Sequence, residues 1–409
     1  MHKDSCTFIT VIVRKRADGN RKIFSKEDSL MKKLLSMLLV LTMAMGLIGT
    51  ASAAEGPIVI GALQDITGAT SSLGNMVYQG ALWAANEINA NGGVNGRMIE
   101  LKVYDTTGSV DEAITALIKA ITEDNVSAII GPPVANIAHA IKEITESYDV
   151  PVLGFAVDKA TVLKEDGTPY KNMFLFQPSA DQQANIMASN AMEQGLKNFA
   201  ILYNEANAYS VSLLPEFKAT VTANGGTITD ELAYNANDRD FKTLLTKIIA
   251  NNPDGIYVPN YTADLTLIAQ EANALGYKGK LFCGLDACPP FNTTVGLTDL
   301  ANIMFINNVD DTEKAMADLI VEVKEKAGID ATNKFFLGYD VMNILAGIVG
   351  EVGDKPADVA AAVAKVTGYQ GLTGNITINP DTHMTEGLEM VMFTYEGTTP
   401  VMLKRYAAK

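Results

Sequence analysis

Tyr209, Tyr261 and Asp286 each stand just past the carboxyl end of a strand-like run, after 198–203, 254–259 and 280–284. In an open α/β sheet such ends form one rim, and small molecules bind there. A carboxylate beside aromatic rings suits a cation, through its charge and through the negative ring faces. A fourth residue, Asp158, follows another strand-like run in Gly154-Phe155-Ala156-Val157-Asp158-Lys159-Ala160. An acid at that point repels a carboxylate and attracts an ammonium or another N–H donor. Each residue also has a plainer reading, as a surface tyrosine or aspartate, and Asp158 as half of a solvated pair with Lys159. The shared placement of the first three on one rim argues against coincidence.

Catalytic chemistry finds little support. The chain lacks a Gly-x-Ser-x-Gly elbow, a His-Glu-x-x-His helix and a phosphate-binding Gly-x-x-x-x-Gly-Lys-Ser/Thr loop. Asp158 and Asp286 are acids that could in principle do acid/base work. However, the three histidines, His2, His139 and His383, are scattered, and no nucleophile arrangement accompanies them. No Cys/His cluster has metal-ligand spacing. The expectation is a protein that is not an enzyme, with no metal and no cofactor. Cys283 and Cys288 are near neighbours, either a short-loop disulfide in an oxidising compartment or two separate thiols. Cys6 lies far upstream.

The elements that must position these side chains alternate regularly. A strand-like run at 57–63 leads through the loop Thr67-Gly68-Ala69-Thr70-Ser71-Ser72-Leu73-Gly74 into an amphipathic stretch at 75–89. There Val77, Ala81, Ala84, Ala85 and Ile88 recur at helical spacing. A Gly-rich turn at 91–96 and a strand at 98–104 complete a βαβ unit, which puts the first loop at the ligand-binding end of the sheet. Backbone N–H groups and hydroxyls at Ser71 and Ser72 suit a polar or anionic ligand end; either serine equally suits an ordinary N-cap. A strand at 127–131, a helix at 135–148 and a strand at 150–155 extend a parallel sheet covered on both faces.

A second series follows: helices at 182–194, 211–224, 241–250 and 265–275 alternate with strands at 198–203, 227–233, 254–259 and 280–284. A strand at 303–307 precedes three helices, at 313–327, 335–352 and 356–366, and two edge strands, at 374–379 and 388–395. Trp83 stands among apolar helix residues and reads as core. No Pro/Gly/Ser linker separates the halves, which fits an interleaved two-lobed chain.

Met31-Lys32-Lys33, an apolar run at 34–48 and Ala51-Ser52-Ala53 have the three parts of a secretory signal peptide, with cleavage after Ala53. The apolar run is short for a bilayer span. Residues 1–30 are polar and aperiodic, and translation is expected to start at Met31, with 1–30 a non-native extension. No Cys stands at the cleavage position for a lipid anchor, so the product is expected free in the periplasm or secreted. Of the 409 residues, 48% are hydrophobic and 19% charged, which suits a well-buried core of two ordinary domains. The formal net charge of −15 argues against nucleic acid and anionic membranes as partners.

From IGALQDITGATSSLGN at 60–75 to NEINANGGVNGRMIELKVYD at 86–105, the chain resembles the periplasmic binding proteins that serve branched-chain amino acid ABC transporters. The resemblance continues in register through roughly all of the chain beyond residue 53. It implies an α/β fold of two doubly wound, Rossmann-like lobes joined by a three-crossing hinge, the type I periplasmic binding protein. The implied crossings lie near Gln177, Asn307 and Leu372, giving a first lobe of 54–177 and 308–372 and a second of 178–307 and 373–409.

The resemblance also implies a ligand site made by Ser72, Leu73, Ala135, Asn136, Ala156, Asp158, Tyr209, Tyr261 and Asp286. Leu73 stands where relatives often carry an aromatic. Ala135 and Asn136 stand where relatives place a Ser or Thr hydroxyl on the ligand α-carboxylate; this chain keeps only the backbone N–H groups there. Ala156 matches a carbonyl contact, and Asp158 replaces a Thr hydroxyl. Tyr209 and Tyr261 match aromatics, and Asp286 matches the acid that pairs with a ligand ammonium. The implied function is capture of a small amino acid or related amine-bearing compound by a monomer, and delivery to an ABC transporter permease. Two alternatives remain: a receptor of the same fold signalling to a protein partner, or a binder of an amide, polyamine, purine or aromatic acid.

Overall fold

The computed structural model describes residues 56–235 and 239–407, so the leader read at 31–53 and the extension before it lie outside the described residues. The first sheet is wholly parallel, in the order β2-β1-β3-β4-β5. Its strands are β1 (Ile58–Gln64), β2 (Ile99–Asp105), β3 (Ala128–Ile130), β4 (Val152–Gly154) and β5 (Met173–Leu175). The three inner strands are almost continuously buried, because helices cover both faces and leave no polar side. Those helices are α1 (Ser71–Ala90), α2 (Val110–Thr122) and α3 (Ala135–Thr145). In α1, Val77, Ala81, Ala84 and Ala85 are buried, as their spacing predicts. Helix α2 has no counterpart among the elements read from the sequence, although Ser109 caps it and Ala113, Leu117, Ala120 and Ile121 form its buried stripe.

The second lobe alternates α4 (Ala180–Glu193), β6 (Asn198–Asn204), α5 (Ala208–Ala223), β7 (Thr227–Tyr234), α6 (Phe241–Ala250), β8 (Gly255–Tyr257), α7 (Thr262–Ala274) and β9 (Lys280–Phe282). The short α8 (Phe291–Thr294) leads to β10 (Ile303–Asn307), which pairs in parallel with β9. The chain then returns to the first lobe as α9 (Lys314–Ala327), α10 (Asn333–Val352) and α11 (Pro356–Val363). A small antiparallel sheet follows, of β11 (Tyr369–Gly371), β12 (Gly374–Ile378) and β13 (Thr385–Glu386). Finally β14 (Glu389–Glu396) and the exposed β15 (Thr399–Ala407) join the second sheet, ordered β15-β14-β10-β9-β8-β6-β7. Strand β15 likewise has no counterpart in the sequence reading.

The third crossing differs from its expected place near Leu372. Residues 373–387 stay with the first lobe, because four long-range ties hold them there. Ile376 and Ile378 join the core of Ile58 and Leu153. Met384 bridges Leu175. The His383 ring stacks on Phe174 at 4.2 Å. The buried Asp340 of α10 accepts hydrogen bonds from the N–H groups of Leu372 and Thr373, both at 2.8 Å, and from the Thr373 hydroxyl at 2.7 Å. The chain therefore crosses back between β13 and β14.

Helix α10 is long and apolar enough to span a membrane, yet it is mostly buried inside the protein, against α1 and the core of the first sheet. Two glycines permit the close crossing. A Cβ on Gly80 would lie 1.8 Å from the Phe335 carbonyl oxygen, and one on Gly338 would lie 2.0 Å from that of Val77. No side chain fits either gap. Gly338→Ala is therefore expected to destabilise the fold by about 3 kcal/mol or more in urea unfolding. Gly347→Ala, in the same helix but with open space around its Cβ, should instead stabilise it by about 0.5–1 kcal/mol. Equal effects from the two substitutions would contradict the crossing described here.

Candidate ligand site between the lobes

On the first lobe, Asp65 shapes the loop ahead of α1. Its carboxylate accepts from the Gly68 N–H at 2.6 Å, the Thr70 N–H at 2.9 Å and the Thr70 hydroxyl at 2.6 Å. Thr70 occupies the N-cap position, and Ser71 and Ser72 already belong to the helix. The loop so fixed delivers Leu73 to the interlobe cleft.

On the second lobe the corresponding device is Asn260, which is fully buried. Its side chain donates to the Leu202 carbonyl at 3.0 Å and accepts from the Asn204 N–H and the Ser210 hydroxyl, both at 3.1 Å. This ties the loop after β8 to the loop after β6. As a result Tyr209, at the start of α5, and Tyr261, just before α7, stack face to face, with ring centroids 5.0 Å apart and planes 6° from parallel. Asp286 lies in a single helical turn after β9, where its Oδ1 accepts from the Thr262 hydroxyl at 3.4 Å.

These parts meet in a narrow cavity of about 30 Å³ between the lobes. Leu73, Ala135 and Phe155 line it from one side, and Tyr209, Tyr261 and Asp286 from the other. A second cavity of about 170 Å³ adjoins it, sharing Leu73, Leu285, Asp286 and Lys334, and extends to Ser72, Pro289 and Phe291. The Oε1 of Gln177 is buried without a hydrogen-bond partner among the described residues, whereas the Tyr209 hydroxyl faces Asp286 and the Tyr261 hydroxyl faces the Ala135 backbone. Buried polar atoms are normally satisfied, so an unpartnered one on the cavity wall suits a polar guest. Burial holds the Asp286 carboxyl above the usual carboxylate range, against the opposing pull of the Lys334 charge and the hydrogen bonds around it. Burial and the Asp286 charge in turn push the Tyr209 and Tyr261 hydroxyls up, so both stay protonated.

Other residues expected at the site are used differently. Asn136 spans the cleft: its side chain donates to the Ala206 carbonyl at 3.1 Å and accepts from the Ala208 N–H at 3.0 Å. Ala156 is buried, and its carbonyl accepts from the Thr161 hydroxyl at 3.4 Å. Asp158 Oδ2 lies 2.7 Å from His139 Nε2, and its Oδ1 accepts from the Ala160 N–H at 3.0 Å. Burial works against this charge, but those hydrogen bonds hold Asp158 below the usual carboxylate range. It does not line the cavity.

Sequence reasoning missed Lys334, Gln177, Val157 and Leu285 as lining residues. The sequence reading began that helix at 335, one residue after Lys334, and so gave no signal for it. Cys283 and Cys288 are both free and buried. The Cys288 thiol donates to the Ile306 carbonyl at 3.3 Å, and burial pushes both thiols up.

A family model described as periplasmic binding protein matches residues 57–398. The Leu/Ile/Val-binding protein BraC3 of Rhizobium johnstonii is 25% identical over 357 residues, covering 84% of this chain and 94% of its own. The structure of the leucine binding protein LivK from Thermotoga maritima matches with a TM-score of 0.76 and 24% identity, over 86% of this chain and 99% of its own. A solute binding protein of an ABC transporter from R. palustris, solved in complex with benzoate, matches with a TM-score of 0.76 and 18% identity, over 86% of this chain and 97% of its own. At these identities the two structures establish a common fold and nothing finer.

Two outcomes follow from this geometry. Asn136→Ala removes both hydrogen bonds across the cleft, so small-angle scattering of the ligand-free protein should show a larger radius of gyration than wild type; an unchanged profile would mean that the pair does not hold the lobes together. Thiol reagents should label Cys283 and Cys288 only when the protein is unfolded, since a buried thiol of raised pKa yields little thiolate. Rapid labelling of the native protein at either position would contradict that burial.

Proposed function

The chain belongs to the periplasmic binding protein family, and from that premise we propose that it captures a small amine-bearing compound, an amino acid above all, and delivers it to an ABC transporter permease outside the cytoplasm. The observation that carries this reading is the buried Asp286 beside the stacked Tyr209 and Tyr261, in a cavity walled by both lobes. The relative BraC3, a Leu/Ile/Val-binding protein, supports the same ligand class.

The physical logic is that of a charge waiting for a partner. A buried carboxylate without a close cation is costly, and the raised position of Asp286 is one expression of that cost. A ligand ammonium removes the cost, and the tyrosine faces add their own attraction. Because contacts come from both lobes, the ligand binds the closed form more tightly than the open one and shifts the population toward closure. Binding, rather than bond-making, is all that this arrangement requires.

A thermal-shift screen of amino acids, amines and amides reads the ligand class, since a tight ligand raises the melting temperature by mass action. Asp286→Asn should weaken an ammonium-bearing ligand by about 2–5 kcal/mol, and undiminished affinity would remove Asp286 from the site. The pH dependence has a definite sign. Burial favours the neutral acid in the free protein, whereas a bound ammonium favours the carboxylate. Affinity should therefore fall on acidification, beginning above the ordinary carboxylate range, with proton release on binding in that window. Calorimetry in buffers of different ionisation heat reads that release directly.

A further inference from the structure

We propose that Lys334 is the anchor for a ligand carboxylate. The inference rests on reading the interlobe cavity as the ligand site and adds the group that fixes the acid end of the ligand.

Lys334 stands in the first turn of α10, where the Thr332 hydroxyl accepts its backbone N–H at 3.3 Å. Its side chain lines both adjoining cavities and is half-buried. Among the described residues no carboxylate lies within 4.0 Å of its ammonium, and the first turn of α10 holds no acid. The positive end of a helix dipole makes this a poor place for an unpaired cation and a good one for an anion. Three other lysines of the first lobe are paired: Lys159 with Asp181, Lys164 with Glu146, and Lys102 with Asp124.

Across the same cavity Asp286 feels the Lys334 charge without forming an ion pair with it. A cation from the first lobe thus faces an anion from the second, over a gap. A ligand carrying a carboxylate for Lys334 and an ammonium for Asp286 completes both and binds the lobes to each other. The inner cavity is the narrower part of the site and holds Asp286 and Lys334 in its wall. The adjoining cavity of about 170 Å³, with Pro289, Pro290 and Phe291 in its wall, offers room for an apolar remainder.

The competing account makes Lys334 a counter-ion for Asp286, with no direct ligand contact. Calorimetry on the full chain with leucine, leucinamide, isovalerate, benzoate and isoamylamine separates the two. On wild type, leucine should bind at least about tenfold better than leucinamide, the value of a hydrogen bond to a charged group. Lys334→Met should weaken leucine, isovalerate or benzoate about 10- to 100-fold and leave leucinamide and isoamylamine within about threefold, with Lys334→Arg restoring most of the loss. The inference is overturned if Lys334→Met weakens amines as much as acids, if it spares the acids, or if wild type ignores every carboxylate in the set. The wild-type leucine to leucinamide ratio keeps the test intact should Lys334→Met fail to fold. Wild-type binding of isovalerate or benzoate without any amine would sink the ammonium reading of Asp286 while leaving Lys334 in place. Binding of amines alone would do the reverse.

Discussion

The near contact of α1 and α10 at Gly80 and Gly338 governs the first-lobe side of the cleft. Helices separated by ordinary side chains sit about 8–10 Å apart; here each backbone reaches into the gap left by the other's missing Cβ. The consequence is positional. Both helices begin at the cleft, α1 at Ser71 and α10 at Asn333, so the crossing brings Leu73 and Lys334 into one cavity wall although 260 residues of chain separate them. Asp340 then fastens the far segment at Leu372 and Thr373 to the same helix. Packing at a pair of glycines is thereby converted into the placement of a charge.

The second lobe reaches the same end with polar rather than steric means. Asn260 makes three hydrogen bonds to the backbone and side chains around it, and a buried network of this kind rigidifies the loops it joins. The tyrosines it positions turn their hydroxyls toward the cleft, Tyr209 to Asp286 and Tyr261 to the Ala135 backbone.

Much of this was legible in the sequence because it is local. Tyr209, Tyr261 and Asp286 follow short strands of plain apolar pattern, and the position of a residue just after a parallel strand is a statement about a few neighbours. The interleaved α/β architecture is equally local, element by element. What escaped reading depends on distant partners. Asp158 looked available because its partner His139, 2.7 Å away in the fold, lies 19 residues away on another element. Lys334 fell just before the helix read at 335–352, and its direction comes from the α1 crossing. The third crossing moved from Leu372 to beyond Glu386 because Met384, His383 and Asp340 make contacts that only the folded chain brings together. Strand β15 is exposed over most of its length and its apolar residues Val401, Met402 and Leu403 run together instead of alternating with polar ones, so it carries no period-two signal, and its place comes from pairing with β14. Helix α2 is a different case: its cap and stripe were there to be read.

Asn136 gives the protein something a pure ligand trap lacks. Its two hydrogen bonds to the Ala206–Ala208 backbone join the lobes at a point that needs no guest. For a detector, a contact of that kind sets the background: every increment of closure supplied by the protein itself raises sensitivity to scarce solute and narrows the contrast between full and empty. Under the proposed function the amide at residue 136 acts as a gain control, and tuning it trades detection limit against false reports.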